Sequence, residues 1–209
     1  MSPLESLFHD GSRELQDRFD TRRIADRINE VHVTDVIDDN SKAFIEQRDM
    51  FFLATADADE RPTCSYKGGD PGFVRVLDER TLAWPNYDGN GMYLSMGNIA
   101  RNSAVGMLFI DFESGHRLRL DGDSSIDSTD PLVDDYEGAQ FVVRVVARAV
   151  YPNCPRYIHR YKLVERSHFV PRRRRATPVP AWKTSDWAAD ALPADNPARH
   201  PEDHEVRGR

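Results

Sequence analysis

The chain has 209 residues, of which 39% are hydrophobic and 30% are charged, so it can bury a core and form one domain with additions. The formal net charge of −7 argues against general nucleic-acid binding, and no apolar run is long enough to span a membrane. Only Cys64 and Cys154 are present, too few for a disulfide framework or a zinc motif.

The first 48 residues predict a helical segment. The opening residues lack the basic start and the apolar stretch of a signal peptide, so we expect a cytoplasmic protein. Residues 11–30 predict a helix capped by Ser12, and residues 40–48 predict a shorter helix capped by Asn40 or Ser41. The apolar stripe of the first helix consists of Leu15, Phe19, Ile24 and Ile28.

From residue 49 the pattern changes to β-structure. Residues 50–56 form a continuous apolar run, which predicts a buried strand, and after a turn residues 63–67 complete a hairpin. Residues 73–78 and 81–84 predict a second hairpin. Residues 104–112, 116–126 and 139–151 predict three further strands, and residues 153–164 predict a helix capped by Asn153.

About six strands arriving as successive hairpins predict a mainly β protein with flanking helices, and an antiparallel barrel rather than an α/β sheet. We therefore expect an N-terminal helical segment at 1–48 and a barrel domain at 49–170. The segment 171–209 is basic, then rich in proline and alanine, which predicts an extended and partly disordered tail.

The segment "WPNYDGNGMYLSMGNIARN", residues 84–102, is unusually polar for its place between two apolar strands. Gly89 and Gly91 would free backbone amides, Asn90 can donate a side-chain amide, and a helix beginning near Met92 would direct its positive end at the same place. Lys67 could add the charge that a phosphate needs. The alternative is an ordinary glycine-rich loop with Lys67 on the surface.

The order of motifs across residues 51–122 carries a resemblance to a known family. A strand with "ATAD", a strand ending in lysine, "PGFVRVLD", "GNG…GN", "VGMLFIDF" and "RLRLDG" follow one another. Together they resemble the FMN-binding split-barrel family of pyridoxamine 5′-phosphate oxidase-like proteins, and one bacterial subgroup in particular. The resemblance implies a six-stranded antiparallel split barrel and a homodimer with flavin mononucleotide (FMN) at the interface.

The resemblance also implies a set of cofactor-binding residues. The strand from Thr63 to Lys67 would run along the isoalloxazine ring and the ribityl chain, and Trp84 and Pro85 would lie beside the flavin. Arg117 lies where a glutamine commonly faces the ring from the partner strand. The residues so implied, with Met92 added from the loop, are Thr63, Cys64, Ser65, Tyr66, Lys67, Trp84, Pro85, Asn90, Gly91, Met92 and Arg117.

Two departures from the family pattern matter. Asn90 and Gly91 stand where the oxidases have an arginine–lysine pair for the phosphate, so phosphate binding must rest on amides, on Lys67 or on another arginine. Arg61, Arg75 and Arg101 are the candidates for that arginine. No segment resembles the arginine- and histidine-bearing end that holds pyridoxal phosphate, so a vitamin-B6 oxidase is not expected.

The function implied is that of a flavin-dependent oxidoreductase that transfers hydride or electrons to or from a small molecule. Neither the substrate nor a catalytic residue is identified, and the histidines form no metal-ligand pattern. Two alternatives stay open. One is a reductase that uses the deazaflavin F420 on the same fold, and the other is a non-catalytic module that binds flavin or haem as a stress or sensor protein.

Overall fold

The computed structural model describes residues 7–208, and the chain divides into two compact units that meet in sequence at Lys162 and Leu163. The described part of the first unit contains four α-helices, a short 3-10 helix (Pro131–Asp135) and the main sheet. Its α-helices are α1 (Asp10–Arg18), α2 (Arg22–His32), α3 (Asp39–Glu46) and α4 (Leu94–Ile99). Its strands are β1 (Met50–Ala56), β2 (Pro62–Gly68), β3 (Arg75–Val76), β4 (Thr81–Tyr87), β5 (Ala104–Ile110), β6 (Arg117–Asp127) and β7 (Ala139–Asn153).

The first predicted helix is in fact two. The chain turns at residues 19–21, where Asp20 adopts a left-handed φ of 50°. An ion pair between Arg13 and Asp26, at 2.6 Å, ties α1 to α2. The apolar stripe of this helical hairpin is exposed, since Leu15, Phe19, Ile24 and Ile28 are each at least 48% accessible. The cap of α3 is Asp38, two residues before the predicted Asn40, and its carboxylate accepts a hydrogen bond from the Ser41 amide.

The strands form one antiparallel sheet in the order β2-β1-β5-β6-β7-β4-β3. The prediction of a mainly β, antiparallel fold with flanking helices is therefore confirmed. The sheet has seven strands rather than about six; the segment predicted at 73–78 contributes only the two-residue β3, at the edge beside β4. Within the described residues no hydrogen-bonded ladder joins the two edge strands, β2 and β3.

The core lies on the inner face of the sheet and is dominated by aromatic rings. Phe51 on β1 meets Trp84 on β4 edge-to-face, with ring centroids 5.2 Å apart, and lies 5.3 Å from Phe109 on β5. Each of these rings is at most 1% exposed. Burial of such large rings supplies much of the hydrophobic stabilisation of a domain of this size. Most residues of β1 are buried, so the prediction of a buried strand here is confirmed.

The helix predicted over residues 153–164 does not form. Instead β7 continues to Asn153, and residues 154–162 contain no helix. The Asn153 side chain, which was expected to cap that helix, accepts a hydrogen bond from the Arg117 guanidinium at 2.5 Å. The pairing of β7 with β6, which runs to Arg117 and Asn153 themselves, has prevailed over local helix signals.

The second unit contains short elements only. A parallel pair of two-residue strands, β8 (Val179–Pro180) and β9 (Val206–Arg207), accompanies the four-residue helix α5 (Asp186–Ala189). The indoles of Trp182 and Trp187 stack with centroids 5.8 Å apart. The predicted domain boundaries at residues 48/49 and 170/171 stay predictions.

Candidate functional site

A cleft of about 240 Å³ opens between β2, the end of β4 and the segment that leads into α4. It contains the stretch that the sequence singled out as an anion cradle. The residues that line it are Ser65, Lys67, Asn86, Tyr87, Gly89, Asn90, Gly91, Met92, Tyr93, Leu94, Ser95 and Met96.

The wall formed by residues 89–93, the glycine loop, has the backbone freedom that its composition predicts. Gly91 has a φ of 78°, in the left-handed region that favours glycine. The Asn90 side-chain oxygen accepts a hydrogen bond from the Met92 amide at 3.0 Å, which folds the loop tip into a turn. Helix α4 begins at Leu94 rather than near Met92, because Tyr93 takes a left-handed φ of 49° just before it.

Lys67 is the cation of the cleft. Its side chain is half-buried on β2, and its ammonium makes no hydrogen bond or ion pair with any residue that the structure describes. Burial away from water lowers the pKa of Lys67 below its ordinary value of 10.5. A desolvated ammonium with three free donors is a binding group for an anion.

Alternation along β2 places Thr63, Ser65 and Lys67 on one face of the strand. The Ser65 hydroxyl lies 3.0 Å from that of Ser95 on α4. One turn further along α4, the Asn98 amide donates to the Thr63 hydroxyl at 3.1 Å and to the Thr55 hydroxyl at 3.0 Å. This polar seam fastens the strand that carries Lys67 to the helix that follows the glycine loop.

The other two residues predicted on this strand, Cys64 and Tyr66, point away from the cleft. Tyr66 is 62% exposed, and its ring meets Phe52 edge-to-face with centroids 6.2 Å apart. The Cys64 thiol is exposed. β2 is an edge strand of the main sheet, and among residues 7–208 it pairs only with β1.

Trp84 and Pro85 are buried in β4 and do not line the cleft. Trp84 belongs to the aromatic core, although its indole Nε1 is buried without a hydrogen-bond partner among the described residues. Arg117, at the start of β6, is also outside the cleft wall. Its guanidinium donates to the Asn153 side chain and to the Cys154 carbonyl, and its Nε is buried with no partner in the described part of the chain.

Of the predicted site residues, the structure thus brings five together in the cleft wall: Ser65, Lys67, Asn90, Gly91 and Met92. Thr63 adjoins them through its hydrogen bond with Asn98. Sequence reasoning missed Asn86, Tyr87 and Tyr93, although they flank the two glycines. Burial, with a smaller contribution from the charge of Asp70, raises the pKa of Tyr87 to about 12, so it stays a neutral phenol.

The three arginines proposed as replacements for the phosphate pair differ in availability. Arg61 is paired with Asp57 and with Asp59 in the turn before β2. Arg75 is paired with Asp135 at 2.7 Å. Arg101, just beyond α4, is exposed and has no ion pair among residues 7–208, so it is the arginine of the three that is free to meet an anion.

Residues 37–167 match the family model for pyridoxamine 5′-phosphate oxidase, which is well over half of the chain. The chain belongs to this family. The match begins before β1 and ends beyond β7, so it includes the whole main sheet and every residue of the cleft. The family resemblance carried by the motifs of residues 51–122 is therefore confirmed.

Several solved structures are similar to part of the chain, at low sequence identity. A putative pyridoxamine 5′-phosphate oxidase from Lactobacillus delbrueckii is 22% identical, covers 56% of this chain and 95% of its own, and has a TM-score of 0.46. HupZ from Group A Streptococcus is 18% identical over 56% of this chain and 93% of its own, also at 0.46. An FMN-binding protein from Syntrophomonas wolfei is 8% identical over 67% and 97%, at 0.45.

No curated protein matches the chain in sequence. Across residues 7–208, no cluster of three or more histidine, cysteine, aspartate or glutamate side chains is arranged to hold a metal ion. In the same part of the chain, no helix has the length and apolar character needed to cross a membrane.

Proposed function

We propose that this protein binds FMN and holds its phosphate between Lys67 and the glycine loop. The observation that carries the proposal is the Lys67 ammonium, which faces the cleft, is desolvated and lacks a partner within the described residues. An ammonium in this state is unfavourable until an anion joins it. A phosphate bound beside Lys67 would therefore offset the cost of burying this ammonium.

The loop opposite Lys67 fits the same group. The Asn90 side-chain nitrogen has no partner in the described structure, and its oxygen is already engaged with the Met92 amide. Nothing lies within 4 Å of where a Cβ would stand on Gly89 or Gly91, so the backbone there is open to a ligand. Amides and one ammonium would then replace the arginine–lysine pair of the oxidases.

The remaining family positions extend the proposal along the flavin. We place the ribityl chain and ring along the face of β2 that carries Thr63, Ser65 and Lys67, and we give no contact to Trp84 and Pro85, which are buried in β4. We assign Arg117 to the pyrimidine end of the ring in a second copy of the chain. The unpartnered, buried Nε of Arg117 supports a role for this side chain toward a bound group.

The Arg117 assignment is tested through the flavin reduction potential. A cation at the pyrimidine end stabilises the reduced anion, so Arg117→Gln should lower the potential by about 30 mV, a tenfold effect for a two-electron couple. Arg117→Lys keeps the charge and is the control. An unchanged potential in Arg117→Gln would remove the assignment.

When bound, FMN supplies the redox chemistry, accepting or donating hydride at its ring. The residues of this chain bind and orient it. The titratable side chains in the cleft wall are Lys67, Tyr87 and Tyr93, and no carboxylate or imidazole is among them. We infer an oxidoreductase that acts on a small molecule or electron donor, in a homodimer with each flavin at the dimer interface. The exposure of Tyr66, Met92 and Leu94, all at least 57%, supports a second copy covering this region.

The experiment that tests the cofactor is direct. The protein is purified, its visible spectrum is recorded, and any released cofactor is identified by mass spectrometry. FMN at about one per chain supports the proposal, whereas F420, haem, or a colourless protein that takes up no FMN overturns it. Turnover of nicotinamide nucleotides with oxygen or quinones then separates an oxidoreductase from a module that binds flavin without catalysis, and size-exclusion light scattering gives the oligomeric state.

A further inference from the structure

We propose that Gln140 on β7 is a positioning residue that closes the neck of the glycine loop and so makes the cleft select phosphorylated flavin over riboflavin. The inference rests on the proposed function and deepens it. Gln140 is not among the residues of the cleft wall, and it lies about 50 residues from the loop in sequence.

A β-bulge places Gln140 at this point. On β7, Phe141 pairs with Asn86 and Ala139 pairs with Tyr87, so Gln140 is the extra residue between two successive pairs. Bulges bend the strand and re-aim a side chain, and they recur beside functional sites. Here the bulge lies opposite the last two residues of β4, where the chain leaves the sheet and enters the glycine loop.

The Gln140 side-chain oxygen joins both ends of the loop. It accepts a hydrogen bond from the Asn86 side-chain amide at 2.9 Å and another from the Tyr93 hydroxyl at 3.0 Å. Asn86 precedes the loop and Tyr93 is its last residue. One oxygen atom therefore holds the start and the end of the loop together, an arrangement that we call the neck clasp.

The backbone at Tyr93 explains why a clasp is needed. Tyr93 has a φ of 49°, a left-handed backbone conformation that is unfavourable for a residue with a bulky side chain. Such a conformation persists when neighbouring contacts hold it in place. The phenol bond to Gln140 acts on one side of Tyr93, and the contact between Ser95 and Ser65 acts on the other.

The clasp bears on the phosphate and not on the ring. The loop tip contains the Asn90 nitrogen and the open glycine amides, and the clasp fixes how far that tip stands from Lys67. Riboflavin has the same ring and ribityl chain as FMN but no phosphate. Loss of the clasp should therefore weaken FMN binding and leave riboflavin binding nearly unchanged, a pattern that general loss of stability would not produce.

The test compares dissociation constants for FMN and riboflavin, measured by fluorescence quenching on the full chain. Gln140→Met keeps length and removes both hydrogen bonds, and we expect FMN affinity to fall about tenfold with riboflavin affinity changed less than twofold. Tyr93→Phe removes one bond and should give a smaller loss of the same kind. Gln47→Met, the same replacement at an exposed residue after α3, is the matched control and should change neither constant.

The outcomes separate this inference from the proposed function. If the wild-type chain binds no FMN, the proposed function and the inference about Gln140 are both overturned. If it binds FMN but Gln140→Met and Tyr93→Phe keep the wild-type ratio of the two constants, the inference alone is overturned. If Gln140→Met does not fold, Tyr93→Phe decides, since Tyr93 is 46% solvent-exposed and its hydroxyl makes this hydrogen bond at the surface.

Discussion

The hydroxyl of Ser65 on β2 lies 3.0 Å from the hydroxyl of Ser95 on α4. This contact joins two segments that are thirty residues apart and that form the two sides of the proposed phosphate site. Lys67 follows Ser65 by two residues on the same face of the strand, and the glycine loop ends immediately before α4. We expect this contact, the seam at Asn98 and the neck clasp together to set the separation between the ammonium and the loop.

Replacing Lys67 by methionine should weaken FMN binding at least tenfold, because a charge-assisted contact to the phosphate contributes roughly 1.5–3 kcal/mol. Riboflavin binding should change little. Fluorescence titration with both ligands measures the effect. Lys42→Met, at an exposed position on α3, is the matched control, and an equal loss for the two ligands would show that Lys67 does not meet the phosphate.

The lowered pKa of Lys67 predicts a pH dependence with a definite sign. Below the folded-state pKa the ammonium is charged in the folded and unfolded chains, and its desolvation destabilises the fold. Between that pKa and 10.5 the unfolded chain binds more protons, so the free protein gains stability as the pH rises through this window. FMN affinity should fall over the same window, because the ammonium that meets the phosphate is lost.

The measurement for this prediction is chemical denaturation of the free protein from neutral pH towards pH 10.5, in parallel with Lys67→Met. The difference between the two stabilities should shift in favour of the wild type as the pH rises. Calorimetric titration with FMN in buffers of different ionisation enthalpy should show proton uptake inside the window. A difference that stays constant with pH would contradict the assignment of the lowered pKa to Lys67.

Asn98→Ala should loosen the seam between α4 and β2. The variant removes the donor to the hydroxyls of Thr55 and Thr63, and Thr55 is only 4% exposed. We expect a loss of about 1–2 kcal/mol in the free energy of unfolding and a several-fold loss of FMN affinity. Thr63→Ser keeps the hydroxyl and should retain both properties; if Thr63→Ser and Asn98→Ala behave alike, the seam does not act through these hydrogen bonds.

Gly122→Ala tests the packing of the sheet away from the cleft. A Cβ at Gly122 would stand 2.5 Å from the Val146 carbonyl oxygen and 2.7 Å from a Val145 methyl group, beside a register shift between β6 and β7. Because backbone must move, we expect about 2 kcal/mol of destabilisation, or roughly 6 °C in Tm. Scanning calorimetry measures the change in Tm. Gly97→Ala is the control, because nothing lies within 4 Å of a Cβ placed there. Equal melting temperatures for Gly122→Ala and the wild type would contradict the close approach.

Local patterns predicted the sheet well where apolar runs and turns coincide. The strand at β1 and the hairpin with β2 follow from such a run and from the turn residues after it. The predicted helix at 153–164 failed because strand pairing with β6 prevailed over its local signals. The break at Asp20 was missed because a left-handed residue within an otherwise helical pattern leaves little trace in composition.

Part of the candidate site was also predictable from local sequence patterns. Glycine-rich composition and a strand ending in lysine identified both walls of the cleft, which the structure brings together at Lys67 and Asn90. The family pattern spread the site over five consecutive residues of β2, Thr63 to Lys67, while strand alternation turns Cys64 and Tyr66 outward. Gln140 could not be found from sequence, because its place depends on a bulge in a strand that pairs with β4 across a long stretch of chain.

The central claim, that the cleft holds the phosphate of FMN, is tested most directly by the wild-type dissociation constants for FMN and riboflavin, measured by isothermal titration calorimetry in one buffer. Lys67, the Asn90 amide and the glycine amides act together on the phosphate, so we expect FMN to bind about a hundredfold more tightly. Equal affinities, or no binding of FMN, would contradict the claim.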